Sequence, residues 1–134
     1  MDTMNTTQIQ NVKEWIKELR SGNWNQTTNN LCSKKGYCCL GVACEIKGVL
    51  TPSPKAQDIK GMIRPDGTFE SGLPEHEWFK DNYGIDLFQK FDFIDYYKDK
   101  NQMALSELND FAGFTFNQIA DVLEEHINKQ ELVT

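Results

Sequence analysis

The chain has 134 residues, 39% hydrophobic and 25% charged, with a formal net charge of −6. That length and composition fit one globular domain with a core of its own, residues 1–134. They exclude a spanning helix, because no apolar run nears the roughly 18 residues required. A general nucleic-acid binder would need a basic face that this acidic total does not offer. Residues 1–48 hold six Lys/Arg against four Asp/Glu, and residues 49–134 hold eight against sixteen. Arg20, Lys34, Lys35 and Lys47 therefore either attract anions locally or are ordinary surface cations. No basic segment followed by an apolar one opens the chain. A reducing, cytoplasmic setting and free thiols at the four cysteines are expected.

In chain order, Ile9, Val12, Trp15, Ile16 and Leu19 fall on one face of a helix over 7–20. Thr7 and Gln10 have capping-box spacing, and Gly22 is a stop. Residues 23–30, rich in Asn and Thr, read as a loop, with Trp24 out of place unless it packs or stacks. Leu31-Cys32 and Tyr37-Cys38 flank Ser33-Lys34-Lys35-Gly36, which signals a hairpin. A helix follows from Cys39 to about Lys47 and ends at Gly48. Residues 49–56, with Pro52 and Pro54, read as a connector.

Arg64-Pro65-Asp66-Gly67 predicts a second hairpin within Ile59–Phe69. Pro74 opens a helix running to about Tyr83, with Trp78 and Phe79 as apolar contacts. Residues 84–101 interleave Leu87, Phe88, Phe91, Phe93, Ile94, Tyr96 and Tyr97 with acids, and suit an extended segment or a broken helix. Met103–Phe111 reads as a short helix. Thr115 and Gln118 form a capping box for a last helix that buries Phe116, Ile119, Ala120, Leu123 and Ile127, with Gln130–Thr134 fraying. The expected class is α+β: helices packed around one or two short β-hairpins, with a C-terminal helix pair.

Few residues point to chemistry. Cys32, Cys38, Cys39 and Cys44 form one cluster rather than the two separated pairs usual for zinc, and adjacent cysteines on a strand face opposite ways. They suit buried small hydrophobes better than a metal site. A zinc-stabilised regulator remains an alternative. His76 and His126 are isolated, and neither lends a cysteine the context of a nucleophile. Phosphate-loop, dinucleotide and serine-elbow motifs are missing, so no catalytic residue and no cofactor are expected. Leu105–Ile127 outlines a helix-turn-helix, but Asp121, Glu124 and Glu125 oppose phosphate contact.

The order Trp15, Leu19-Arg20-Ser21-Gly22, Gln26, Leu31, Tyr37-Cys38-Cys39-Leu40-Gly41-Val42-Ala43-Cys44, Gly72-Leu73-Pro74, Leu108-Asn109-Asp110 and Phe116-x-x-Ile119-Ala120-Asp121-x-x-Glu124 resembles a family of small proteins encoded mainly by bacteriophages and prophages. The resemblance covers nearly the whole chain, and Tyr-Cys-Cys-Leu-Gly-Val is its signature. It departs from the family's pattern in the aromatic insert near 84–101 and in having Trp24 where tyrosine is usual. The family carries no assigned function. The resemblance therefore implies phage origin and expression in the cytoplasm of an infected bacterium, and little chemistry.

One constellation looks like a ligand surface. Arg20, Lys34 and Lys35 suit a phosphate, Trp24 or Tyr37 a stacked base, and Gln26 a neutral hydrogen bond. Asn109 and Asp110 either cap a helix or bond a ribose or base edge. Together with the phage resemblance they suggest a non-enzymatic anti-defence protein that sequesters a nucleotide-derived immune signal. By analogy with such proteins it would be a homo-oligomer, without a nucleic-acid or membrane partner. The alternative is an inhibitor that docks on a host defence protein through Phe88–Tyr97.

Overall fold

Trp15 sits fully buried where the first helix meets the rest of the chain, in a computed structural model that describes residues 4–94 and 98–132. Helix α1 (Thr6–Arg20) turns Val12, Trp15, Ile16 and Leu19 inward, as its periodicity predicts. Its capping box is Asn5 with Gln8, not Thr7 with Gln10. Thr7 lies two residues past that cap, inside the helix. Strands β1 (Cys32–Ser33) and β2 (Gly36–Tyr37) form the expected hairpin. Helix α2 (Cys39–Ile46) follows at once.

The connector contains an unexpected strand, β3 (Thr51–Pro52). Its partner β4 (Lys60–Ile63) also pairs with β1 and with β5 (Phe69–Glu70), so all five strands form one antiparallel sheet. Pro52 is tolerated because β3 lies at the sheet edge, where a missing N–H costs no ladder bond. Helix α3 is His76–Tyr83, with Glu75 as its N-cap and Pro74 outside it.

Of the two readings of residues 84–101, the described residues bear out the extended one over the broken helix, as strands rather than as one run. They include most of a second, two-stranded sheet, β6 (Phe91–Ile94) against β7 (Lys100–Met103). Alternation explains the mixture of aromatics and acids: Phe91 is buried while Asp92 faces water. Met103 belongs to β7, so helix α4 is shorter than expected, Leu105–Asp110. Tyr96 and Tyr97 lie outside the described residues. Helix α5 (Phe116–Leu132) begins with the predicted Thr115–Gln118 capping box.

The layout is α+β. One core joins α1, α2, α3, α4 and α5, with α1 laid along α5. The cysteine block is the middle of that core. Trp15 Nε1 donates to the Cys39 carbonyl at 2.9 Å, and Tyr83 Oη donates to the Ala43 carbonyl at 2.8 Å. Gly41 is required by closeness rather than by backbone angle: a Cβ there would run into the Leu31 carbonyl. No helix among the described residues is long and apolar enough to cross a membrane.

Candidate functional site

The loop 23–30 is held on three sides. The Thr27 N–H donates to the Tyr37 carbonyl and the Tyr37 N–H to the Asn25 carbonyl, each at 2.8 Å, so the loop lies against β2. Gly36 permits this approach, with φ +141° and the Asn25 carbonyl where a Cβ would be. The Leu31 N–H donates to the Ser71 carbonyl at 2.7 Å. From below, buried Asn109 ties the loop to the core. Its Oδ1 accepts from Gln26 Nε2 at 2.9 Å and from the Cys39 N–H at 3.1 Å. Its Nδ2 donates to the Thr27 carbonyl at 2.9 Å and to Asp110 Oδ1 at 2.8 Å. Asp110 Oδ1 in turn accepts from the Asn29 N–H at 3.2 Å.

Fixed in this way, residues 27–30 form one wall of a cavity of about 440 Å³. Ser33, Lys34 and Lys35 of the hairpin form the other, with Asp58 beside them. The ammonium groups of Lys34 and Lys35 sit on exposed side chains at the hairpin turn. Sequence reasoning missed Asp58. It is far away in the chain and reaches the cavity because β4 pairs with β1. The sequence around it carries no signal of this.

The eight residues proposed from sequence are not one surface. Lys34 and Lys35 line the cavity. Gln26, Asn109 and Asp110 hold it from behind, Gln26 also donating to the Phe114 carbonyl at 2.8 Å. Asn109 is 3% exposed and four hydrogen bonds use its amide, so it is a structural hub rather than a ligand contact or a simple helix cap. Trp24 and Tyr37 pack edge to face on each other, centroids 4.9 Å apart, and Trp24 Nε1 donates to Glu18 Oε1 at 3.1 Å. Burial, reinforced by neighbouring Cys32, pushes the Tyr37 hydroxyl up to about 12. Neither ring lines the cavity.

Arg20 belongs elsewhere. Its guanidinium donates to Glu124 at 2.9 Å and to Asp121 at 2.6 Å on α5, which hold it protonated. It lines a separate groove between α1 and α5. The amphipathic period that puts Leu19 inside turns Arg20 toward those acids.

The cysteines are free and buried. Cys38 is the N-cap of α2, its Sγ accepting from the Gly41 N–H at 3.3 Å. Burial pushes its thiol up to about 12, and raises those of Cys39, Cys44 and, less enclosed, Cys32. Such thiols are poor nucleophiles at neutral pH.

Two faces thus define the molecule: a polar cavity with a basic rim, and an acidic flank along α5. Residues 7–53 are similar to a family described as a domain of unknown function (DUF8296). That segment runs from α1 to β3 and contains every cavity-lining residue except Asp58. No curated protein and no solved structure matches the chain.

Proposed function

We propose that this is a non-enzymatic phage protein that works in the host cytoplasm. In this reading it captures a small, phosphate-bearing, nucleotide-derived signal of bacterial defence in the cavity between residues 27–30 and the β1–β2 turn. The observation that carries the reading is the cavity's construction. A buried polar hub, Asn109, fixes the loop that forms one wall, and two lysines stand on the opposite rim of an acidic chain. A volume of about 440 Å³ lies within the range of small-molecule sites. Lys34 and Lys35 would draw and hold the phosphate. The amides of Asn29 and Asn30 and the hydroxyls of Thr27, Thr28 and Ser33 would read the rest of the ligand by hydrogen bonds. Because Trp24 and Tyr37 are committed to each other, base stacking plays no part. Asp58 would favour ligands with a hydroxyl facing it.

Calorimetry against a panel of cyclic oligonucleotides and ADP-ribose derivatives tests this reading. Binding of a panel member should disappear in the Lys34→Glu/Lys35→Glu variant while its thermal midpoint stays that of the parent. Failure of the whole panel to bind, or unchanged binding by the double variant, would sink the reading.

A further inference from the structure

The lysine-rimmed cavity holds opposite charges that no neighbouring side chain pairs. Cys32 stands opposite Lys60 in the antiparallel pairing of β1 with β4. Two residues on from that pair, Lys34 and Asp58 come to the same end of the sheet, and both line the cavity. Among the described residues, no ion pair or hydrogen bond engages the Asp58 carboxylate or the Lys34 and Lys35 ammonium groups. Cations elsewhere are matched to acids: Arg20 to Asp121 and Glu124, Arg64 to Glu70, and Lys13 to Glu131. A carboxylate only accepts hydrogen bonds and an ammonium only donates them. The ligand that satisfies this site therefore carries an anion and a donor together.

The rest of the lining decides what kind of donor. It consists of two threonines, two asparagines and Ser33, with no aromatic ring among the described residues. Asn29 holds a left-handed φ of +70°, and its N–H is fixed by Asp110 Oδ1 at 3.2 Å, so this wall is set before any ligand arrives. Hydroxyls and amides both donate and accept, which suits a ligand bearing several hydroxyls. Without a ring in the wall, a nucleobase gains no stacking there. A ligand amine could also donate to Asp58, but two ammonium groups to one carboxylate leave the rim net positive against it. A volume of about 440 Å³ is near the lower end for small-molecule sites, and suits one sugar phosphate better than a cyclic oligonucleotide.

We infer that the cavity reads a phosphorylated ribose by its free vicinal diol. Lys34 and Lys35 hold the phosphate. The two Asp58 oxygens accept from the adjacent hydroxyls, as an acid does for the ribose of a bound dinucleotide, and the base stays outside. Among nucleotide-derived ligands this selects ADP-ribose derivatives with an unesterified ribose. It disfavours cyclic oligonucleotides, whose ring linkages use up one hydroxyl of each pair. This selectivity rests on the phosphate-capture reading above and narrows it.

The probes are ribose 5-phosphate, 2-deoxyribose 5-phosphate, phosphoethanolamine, ADP-ribose and a 3′,5′-linked cyclic dinucleotide, each titrated into the whole protein. Amide NMR shifts report both affinity and place. Ribose 5-phosphate and ADP-ribose should move the amides of residues 27–35 and of Asp58. The deoxy sugar should bind about tenfold more weakly, the loss expected for one hydrogen bond to a charged group. Asp58→Ala, at an exposed position, should close that gap with an unchanged thermal midpoint. Tighter binding of ADP-ribose than of ribose 5-phosphate assigns the diol to the end of a nucleotide. The reverse order supports the diol site but makes its ligand a free sugar phosphate, which removes the nucleotide from the reading above. Equal affinity for the two sugars, or a gap that survives Asp58→Ala, would overturn the inference. So would phosphoethanolamine or the cyclic dinucleotide binding as tightly as ADP-ribose. If binding in those cases still vanishes in Lys34→Glu/Lys35→Glu, phosphate capture stands without the diol. No binding by any probe, or binding indifferent to those lysines, sinks both.

Discussion

Gln26 Nε2 donates to Asn109 Oδ1 at 2.9 Å, joining a surface loop to the end of α4 across most of the chain. The same Asn109 oxygen accepts the Cys39 N–H, and the Asn109 amide nitrogen holds the Thr27 carbonyl. Asn109→Ala would leave a buried N–H and a carbonyl without partners. The expected loss is about 3 kcal/mol, from the unpaired groups and the space left behind. Gln26→Ala removes one arm at an exposed position and should cost about 1 kcal/mol. Urea unfolding of the two variants checks the order. Equal losses would show that Asn109 is no hub.

Gly41 of the cysteine block faces the Leu31 carbonyl so closely that even a methyl group has no room. The obstacle is backbone, not a movable side chain. Gly41→Ala must push α2 off the hairpin, at about 3 kcal/mol, the upper end of ordinary overpacking. Thermal melting would measure it. Gly22→Ala is the control, because nothing lies within 4 Å of its Cβ and only its φ of +78° is strained. It should lose less than Gly41→Ala.

The helices were legible because each states its buried face, while three starts were misread. Asn5 rather than Thr7 caps α1, Glu75 caps α3 with Pro74 outside it, and Met103 belongs to β7 rather than α4. Val12, Trp15, Ile16 and Leu19 mark the buried face of α1, and Thr115 with Gln118 starts α5. Both hairpins were legible from their turns. The ribbon was not: Phe91 and Phe93 alternate with acids, but the segment lacks a Gly-rich turn to separate strand from broken helix. The candidate site was half legible. Lys34 and Lys35 follow from the hairpin. Arg20 was misplaced because its partners, Asp121 and Glu124, are a hundred residues away and invisible to local pattern. Asn109 was noticed as a cap because sequence shows a helix end but not the backbone groups that converge on it.

Arg20→Ala should therefore leave ligand capture unchanged. The variant loses two exposed ion pairs, worth together at most about 1 kcal/mol. Calorimetry on this variant beside Lys34→Glu/Lys35→Glu separates the two basic clusters. If Arg20→Ala abolishes binding, the ligand sits in the α1–α5 groove instead.

The thiols make the protein sensitive to alkali. Folding raises the Cys38 thiol from 9.0 to about 12 by burial, so the folded state keeps a proton that the unfolded chain gives up. Stability is whole below about pH 9 and declines as pH rises toward 12, at about 1.4 kcal/mol per pH unit for that group. Cys39 and Cys44 are raised for the same reason and act in the same direction. Urea midpoints across this range should fall more steeply for the parent than for Cys44→Ala. An aromatic disulfide reagent at neutral pH should reach Cys32 first and the other three only on unfolding.

On the acid side the sensitive group is His126. Its ring meets Phe91 edge to face, centroids 5.4 Å apart, on the seam between α5 and the ribbon. Burial first, and the charge of Lys129 second, lower it below 6.5. The unfolded chain then binds the proton more readily than the folded one. The contribution is whole above about pH 6.5 and is lost as pH falls through the lower folded value. His126→Gln, which cannot be charged, should lose less stability than the parent between neutral pH and about pH 5. Lys129→Ala should raise the histidine's titration midpoint, followed by the NMR shift of its ring protons. An unchanged midpoint would leave burial as the sole cause, and an equal acid loss in His126→Gln would assign the acid sensitivity to other groups.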